Sequence, residues 1–209
     1  MFKVSRKILN SFLLAGHETS SMWLSYAFHC IGQPSSESIC TTLLDELKTV
    51  DADAIHPDQI SNMPYCTNVL KETLRLYTIV PIIAKSTAES VVLGGYAVPP
   101  GQTVLLDIWG AHHDTKYWGD SVHEFLPERF SSLKSPSLHP FSYLPFGLGS
   151  RNCVGQNFAM MEAKLAMTVL LKKFIFTPVC EGPLPMDSFD IPLHPKEGMW
   201  MNITHRQKT

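Results

Sequence analysis

The chain has 209 residues, 44% of them hydrophobic and 17% charged, with a formal net charge of −2. That balance supports a globular core and argues against a general nucleic-acid binder, which is expected to be basic overall. The five cysteines, Cys30, Cys40, Cys66, Cys153 and Cys180, are widely spaced and form no C-x-x-C pair. A disulfide framework or zinc knuckle is therefore not expected, and a reducing compartment is.

Lys3, Arg6 and Lys7 precede an apolar stretch over residues 8–16, in the manner of a short signal peptide. Asn10 interrupts that stretch and His17-Glu18 end it, so no window approaches the ~18 apolar residues of a membrane span. Residues 4–31 are predicted to form one long helix, buried on several sides, with Leu13, Leu14, Trp23, Leu24, Tyr26, Ala27 and Phe28 as core contacts. Within it, Ala15-Gly16-His17-Glu18-Thr19-Ser20 is an unusual polar cluster.

Gly, Pro and Ser over residues 32–36 break the pattern. An amphipathic helix is expected over 38–50, a polar loop over 51–57, one helical turn over 58–62, and a further helix over 64–77, ended before Pro81. Residues 86–108 turn strand-like at Val91-Val92-Leu93 and Thr103-Val104-Leu105-Leu106, separated by Gly94-Gly95 and Pro99-Pro100-Gly101. Residues 111–145 show little periodicity, which in a compact domain suggests a functional segment. A helix over 155–174 and one strand over 199–204 complete the pattern.

Phe146-Gly147-Leu148-Gly149-Ser150-Arg151-Asn152-Cys153-Val154-Gly155 sets a cysteine just before a helix, in a glycine-rich loop with an arginine. A helix N-terminus offers unpaired N–H groups and a positive partial charge, which favour a thiolate. Glycines let a flat ligand approach the backbone, and arginine pairs with carboxylates through two parallel bonds. A lone cysteine is more often a buried structural thiol; the full ten-residue pattern argues otherwise. It resembles, position for position, the F-x-x-G-x-R-x-C-x-G signature of the cytochrome P-450 family, in its microsomal eukaryotic type.

The resemblance implies that Cys153 is the axial ligand of haem iron. It further implies that Arg151 pairs with a haem propionate, Phe146 packs beside the loop, and Gly149 and Gly155 make room for the turn and the porphyrin. The cluster at 15–20 resembles the family's [A/G]-G-x-[D/E]-T-[T/S] motif. There Glu18 and Thr19 would deliver protons, the Thr19 hydroxyl bonding back to Ala15 and Gly16 leaving space above the ring. Glu72 and Arg75, one helical turn apart, resemble the family's E-x-x-R pair, and Phe125-Leu126-Pro127-Glu128-Arg129-Phe130 resembles its meander. The implied buried network is Glu72, Arg75 and Arg129.

Three positions depart from the family pattern. Thr78 stands where proline is usual. Lys85 replaces a propionate-binding arginine, keeping the charge without the fork, so a haem contact from Lys85 is a weaker expectation. Residues 111–120 resemble H-R-D-x-x-x-W-G-D; His112 fits, His113 replaces the arginine, and neither receives a role.

The expected fold is mainly α with small antiparallel sheets. The resemblance runs over residues 5–205 and covers less than half of the family domain, so residues 1–209 are expected to be a partial domain without its N-terminal part. The implied chemistry is insertion of one oxygen atom of O2 into a lipophilic substrate, with haem b as cofactor and electrons from NADPH through a reductase. Residues 79–84 would line the substrate pocket, or simply belong to the core. Full-length members of this type sit on the cytosolic face of the endoplasmic reticulum membrane, attached by an N-terminal segment outside this chain. Two alternatives stay open: a thiolate-haem isomerase or dehydratase, and a truncated, inactive chain.

Overall fold

A computed structural model describes residues 6–50, 56–131, 139–186 and 191–207. The expected polar loop falls mostly on residues 51–55, outside the described part.

The long helix is α1 (Arg6–Ile31). A 3-10 turn at Pro34–Ser36 leads into α2 (Glu37–Leu47), where Ile39, Leu43 and Leu47 recur every four residues and all three are buried. The short α3 (Pro57–Ser61) and α4 (Pro64–Leu76) each begin on proline at the first turn, where a missing N–H costs nothing. On α7 (Gln156–Lys173) the buried stripe is Ala163, Met167 and Leu171, again at four-residue spacing. These stripes meet the second half of α1 around Trp23, Tyr26 and Ala27 to make one core. Filling such a site with a leucine or methionine contributes about 1.5–3 kcal/mol each.

Between α4 and α7 lie two of the sheets and the loops that carry the site; the third sheet follows α7. Strands β1 (Ile82–Ser86) and β4 (Thr103–Asp107) pair antiparallel from Ile82–Asp107 to Ser86–Thr103. Strands β2 (Val91–Leu93) and β3 (Tyr96–Val98) form a hairpin, and β5 (Phe174–Pro178) pairs with β6 (Met201–His205). The segment expected to be irregular holds α5 (Ile108–His113), α6 (Thr115–Trp118) and a 3-10 turn at Pro127–Phe130; its residues 132–138 lie outside the described part. The fold class is the expected one: mainly α, with three two-stranded antiparallel sheets among the described residues.

One expectation is corrected. Burial on α1 begins only at Trp23; Leu13 and Leu14 are 61% and 69% exposed and supply no core contact, and Leu24 is half-buried. The described α2, α4 and α7 pack against the second half of the helix alone. Its first half keeps an apolar composition without a packing partner among the described residues.

Candidate functional site

Glu72 and Arg75 sit one turn apart on the inner face of α4, both fully buried. Arg75 Nε and Nη2 donate to the two carboxylate oxygens of Glu72 at 2.8 and 2.9 Å. The remaining Arg75 donors reach the carbonyls of His112, Val122 and Glu124 at 3.1, 2.7 and 3.2 Å. All five guanidinium N–H groups are thereby used, and the cation also lies 5.1 Å over the Trp118 ring. Glu72 Oε1 further accepts the Leu126 N–H at 3.0 Å and Arg129 Nε at 3.3 Å. Arg129 in turn donates to the Trp118 carbonyl at 3.0 Å and to the carbonyl and hydroxyl of Ser121. One carboxylate thus holds two cations and the segment from 118 to 129.

The cysteine loop runs from this anchored region into α7. Cys153 N–H donates to the Phe146 carbonyl at 2.9 Å and Asn152 N–H to Gly149 at 3.2 Å, closing a compact loop. Gly147 and Gly149 take φ of +72° and +85°, conformations that favour glycine. The Phe146 ring meets Trp23 of α1 edge-on at 5.9 Å, which fixes the loop against the long helix. Cys153 and Arg151 are exposed, as are the neighbouring apolar Leu148, Val154 and Phe158. Gly155 is the N-cap of α7, and a β-carbon there would lie 3.9 Å from Cys153 Sγ. Ile83 Cδ1 lies 3.7 Å from the place a β-carbon would take on Gly147, so β1 borders the loop. Lys85, exposed, is two residues further along the same strand and so shares the Ile83 face.

On α1, Thr19 Oγ1 donates to the Ala15 carbonyl at 2.6 Å. Gly16, Thr19 and Trp23 fall at the three- and four-residue spacing that defines one helix face, the face that meets Phe146. A methyl group on Gly16 would find no atom within 4 Å. The Glu18 carboxylate is half-exposed, 3.7 Å from His194 Nε2. Of the stretch 79–84, Ile79 is buried in the core while Ile82 is 43% exposed.

Sequence reasoning left three of these neighbours without a role. His112 is fully buried and Thr78 nearly so; they bond to each other at 2.8 Å, and His112 Nε2 accepts the Leu144 N–H at 2.8 Å. His194 meets Glu18 across the chain. No local pattern marks such contacts; only the partial H-R-D match drew attention to His112.

The donor set suits a haem-thiolate centre: an exposed sulfur ligand, exposed cations on Arg151 and Lys85 for carboxylates, and apolar side chains for a flat macrocycle. Comparison with known proteins agrees. The chain is 36% identical over 202 residues to mouse cytochrome P450 4X1, covering 95% of this chain and 39% of that protein. It is 38% identical over 199 residues to the human protein of the same name, covering 93% and 38%. It is 37% identical over 195 residues to mouse cytochrome P450 3A11, covering 88% and 38%. The chain therefore spans about two fifths of the length of these curated relatives. The family profile described as Cytochrome P450 matches residues 4–201, and the chain belongs to the cytochrome P450 family.

Proposed function

We propose that this chain is the haem-binding portion of a haem-thiolate monooxygenase acting on a lipophilic substrate. The observation that carries the reading is the exposed Cys153 thiol, held at the start of α7 by a loop closed through the Phe146 carbonyl. When bound, haem supplies the redox chemistry that places one oxygen atom of O2 in the substrate, with electrons from NADPH delivered through a reductase.

The chain's own residues supply the surroundings. Cys153, set just before the start of α7, would supply the sulfur ligand. Arg151 and Lys85 offer cations to the propionates, Arg151 with the fork geometry that suits a carboxylate. Thr19, its proton committed to Ala15, keeps lone pairs to orient a water, and Glu18 beside it is the exchangeable acid that relays protons to that water. Glu72, Arg75 and Arg129 touch no reactant; they hold the segments that lead into the loop. Among the described residues no helix is long and apolar enough to cross a membrane. Placement of the full-length protein at the endoplasmic reticulum is an inference from family resemblance.

The test is a pair of substitutions. Cys153→Ser is expected to abolish the red-shifted, thiolate-type Soret band of the reduced, CO-bound protein, because an alcohol does not ionise at neutral pH. Persistence of that band would assign the ligand elsewhere. In the full-length enzyme, Thr19→Ala is expected to keep NADPH consumption while lowering product formed per NADPH. Unchanged coupling would remove Thr19 from proton delivery.

A further inference from the structure

The His112 imidazole is bonded on both sides within the protein interior. The Leu144 N–H can only donate, so Nε2, at 2.8 Å, accepts and carries no proton. In the neutral ring Nδ1 then holds the hydrogen and donates it to Thr78 Oγ1 at 2.8 Å. The Thr78 hydroxyl donates its own hydrogen to the Arg75 carbonyl at 3.1 Å. The His112 carbonyl accepts Arg75 Nη1. Ring and backbone of one residue are thus both tied to the end of α4.

The other side of the ring leads to the cysteine. His112 stacks on Tyr143, centroids 5.2 Å apart, and the Tyr143 hydroxyl donates to the Lys71 carbonyl on α4 at 3.0 Å. Consecutive residues 143 and 144 are therefore both fastened to α4, one directly and one through His112. The Leu144 carbonyl then accepts Gly147 N–H at 3.1 Å, and Phe146 accepts Cys153 N–H.

We propose that His112, as its neutral Nδ1–H tautomer, is a positioning residue for the cysteine loop. It accepts the Leu144 amide and passes the placement of the Glu72–Arg75 helix to the segment that ends in Cys153. Its purpose rests on Cys153 being the ligand, but the strut itself can be measured without haem.

The experiment is nitrogen-15 NMR and amide exchange on the full chain. Wild type is expected to show Nδ1 protonated, Nε2 bare and a protected Leu144 amide. Glutamine reaches as far as Nε2 with its carbonyl, asparagine only as far as Nδ1. His112→Gln should therefore keep Leu144 exchange near wild type, while His112→Asn should speed it roughly tenfold, the scale of one lost buried bond. With haem added, His112→Asn should lose part of the thiolate-type CO band and His112→Gln should retain it. Equal exchange in the two variants would overturn the proposal, as would a proton on Nε2 in wild type. If neither variant folds, the wild-type ring assignment and Leu144 protection decide. Cys153→Ser is expected to leave Leu144 exchange unchanged while removing the CO band, so the ligand reading and the strut fail separately.

Discussion

Around Glu72 and Arg75 every donor and both carboxylate oxygens are taken up by other groups of the chain. Around Cys153 and the first half of α1 the opposite holds: the thiol, Arg151 and Glu18 face outward, and so do large apolar side chains such as Phe12, Leu14, Val154 and Phe158. The first region is a self-sufficient scaffold, whose partners are all internal. The second is a surface without a packing partner among the described residues, and exposed apolar area on this scale marks a binding or packing face. In the proposed reading cofactor chemistry divides the same way: rigid support is built from satisfied buried bonds, and the groups proposed to meet haem and protons lie on the exposed face.

The sharpest way to break this contrast is Glu72→Gln. It keeps the shape but leaves the Arg75 cation buried without its counter-ion. Removing one partner of such a pair costs about 3–5 kcal/mol, measured as the shift in urea unfolding of the full chain. A loss below about 1 kcal/mol, the value of an exposed pair, would mean that the network is not what anchors α4 to the meander.

Titration gives a second, smaller effect. Burial first, then the charges of His113 and Arg75, holds His112 down to about 3 from the ordinary 6.5. The unfolded chain therefore takes up this proton at higher pH than the folded one. Stability is complete above about 6.5 and falls as pH drops from there toward 3. At pH 5 the loss from His112 alone is about 2 kcal/mol. His29 and His113, also held low chiefly by burial, add in the same direction. Comparing wild type with His112→Gln by urea unfolding at pH 7.5 and 5 isolates the His112 share. Equal pH sensitivity in both proteins would show that His112 is not a neutral buried group.

The longer helices are legible because their signals are local: four-residue apolar stripes on α2 and α7, and proline at the start of α3 and α4; the short α5 and α6 carry no such signal. Strands β1, β3 and β5 were missed. They are short, with β1 and β3 mostly exposed, and no alternation of apolar and polar residue types marks them; pairing makes them strands. The first half of α1 misled for a related reason: apolar composition signals a need for partners, not their presence. At the site, the cysteine loop, the acid–alcohol pair and the E-x-x-R pair follow fixed spacings, so sequence alone can nominate them. Contacts between distant segments could not. The Glu46 carboxylate of α2 accepts the N–H groups of Tyr65 and Cys66 at 2.8 and 2.7 Å, capping α4 from another helix. That bond, like Leu144 to His112, depends on the packed geometry alone.

The smallest effect sharpens the contrast most, because it holds spacing constant. Asp45 and Lys48 are three residues apart like Glu72 and Arg75, and their 2.7 Å contact is as short as any bond in the buried pair. Their side chains, however, are 62% and 76% exposed. Water solvates both charges once the contact is broken, salt screens them while it lasts, and two flexible side chains must be ordered to make it. Lys48→Ala should therefore change stability by no more than about 0.5 kcal/mol, and 0.5 M salt should erase what remains. The same salt should barely alter the cost of Glu72→Gln, since ions do not enter the α4–meander interface. A loss near 2 kcal/mol for Lys48→Ala, or a large salt effect on the Glu72 variant, would show that burial is not what separates the two pairs.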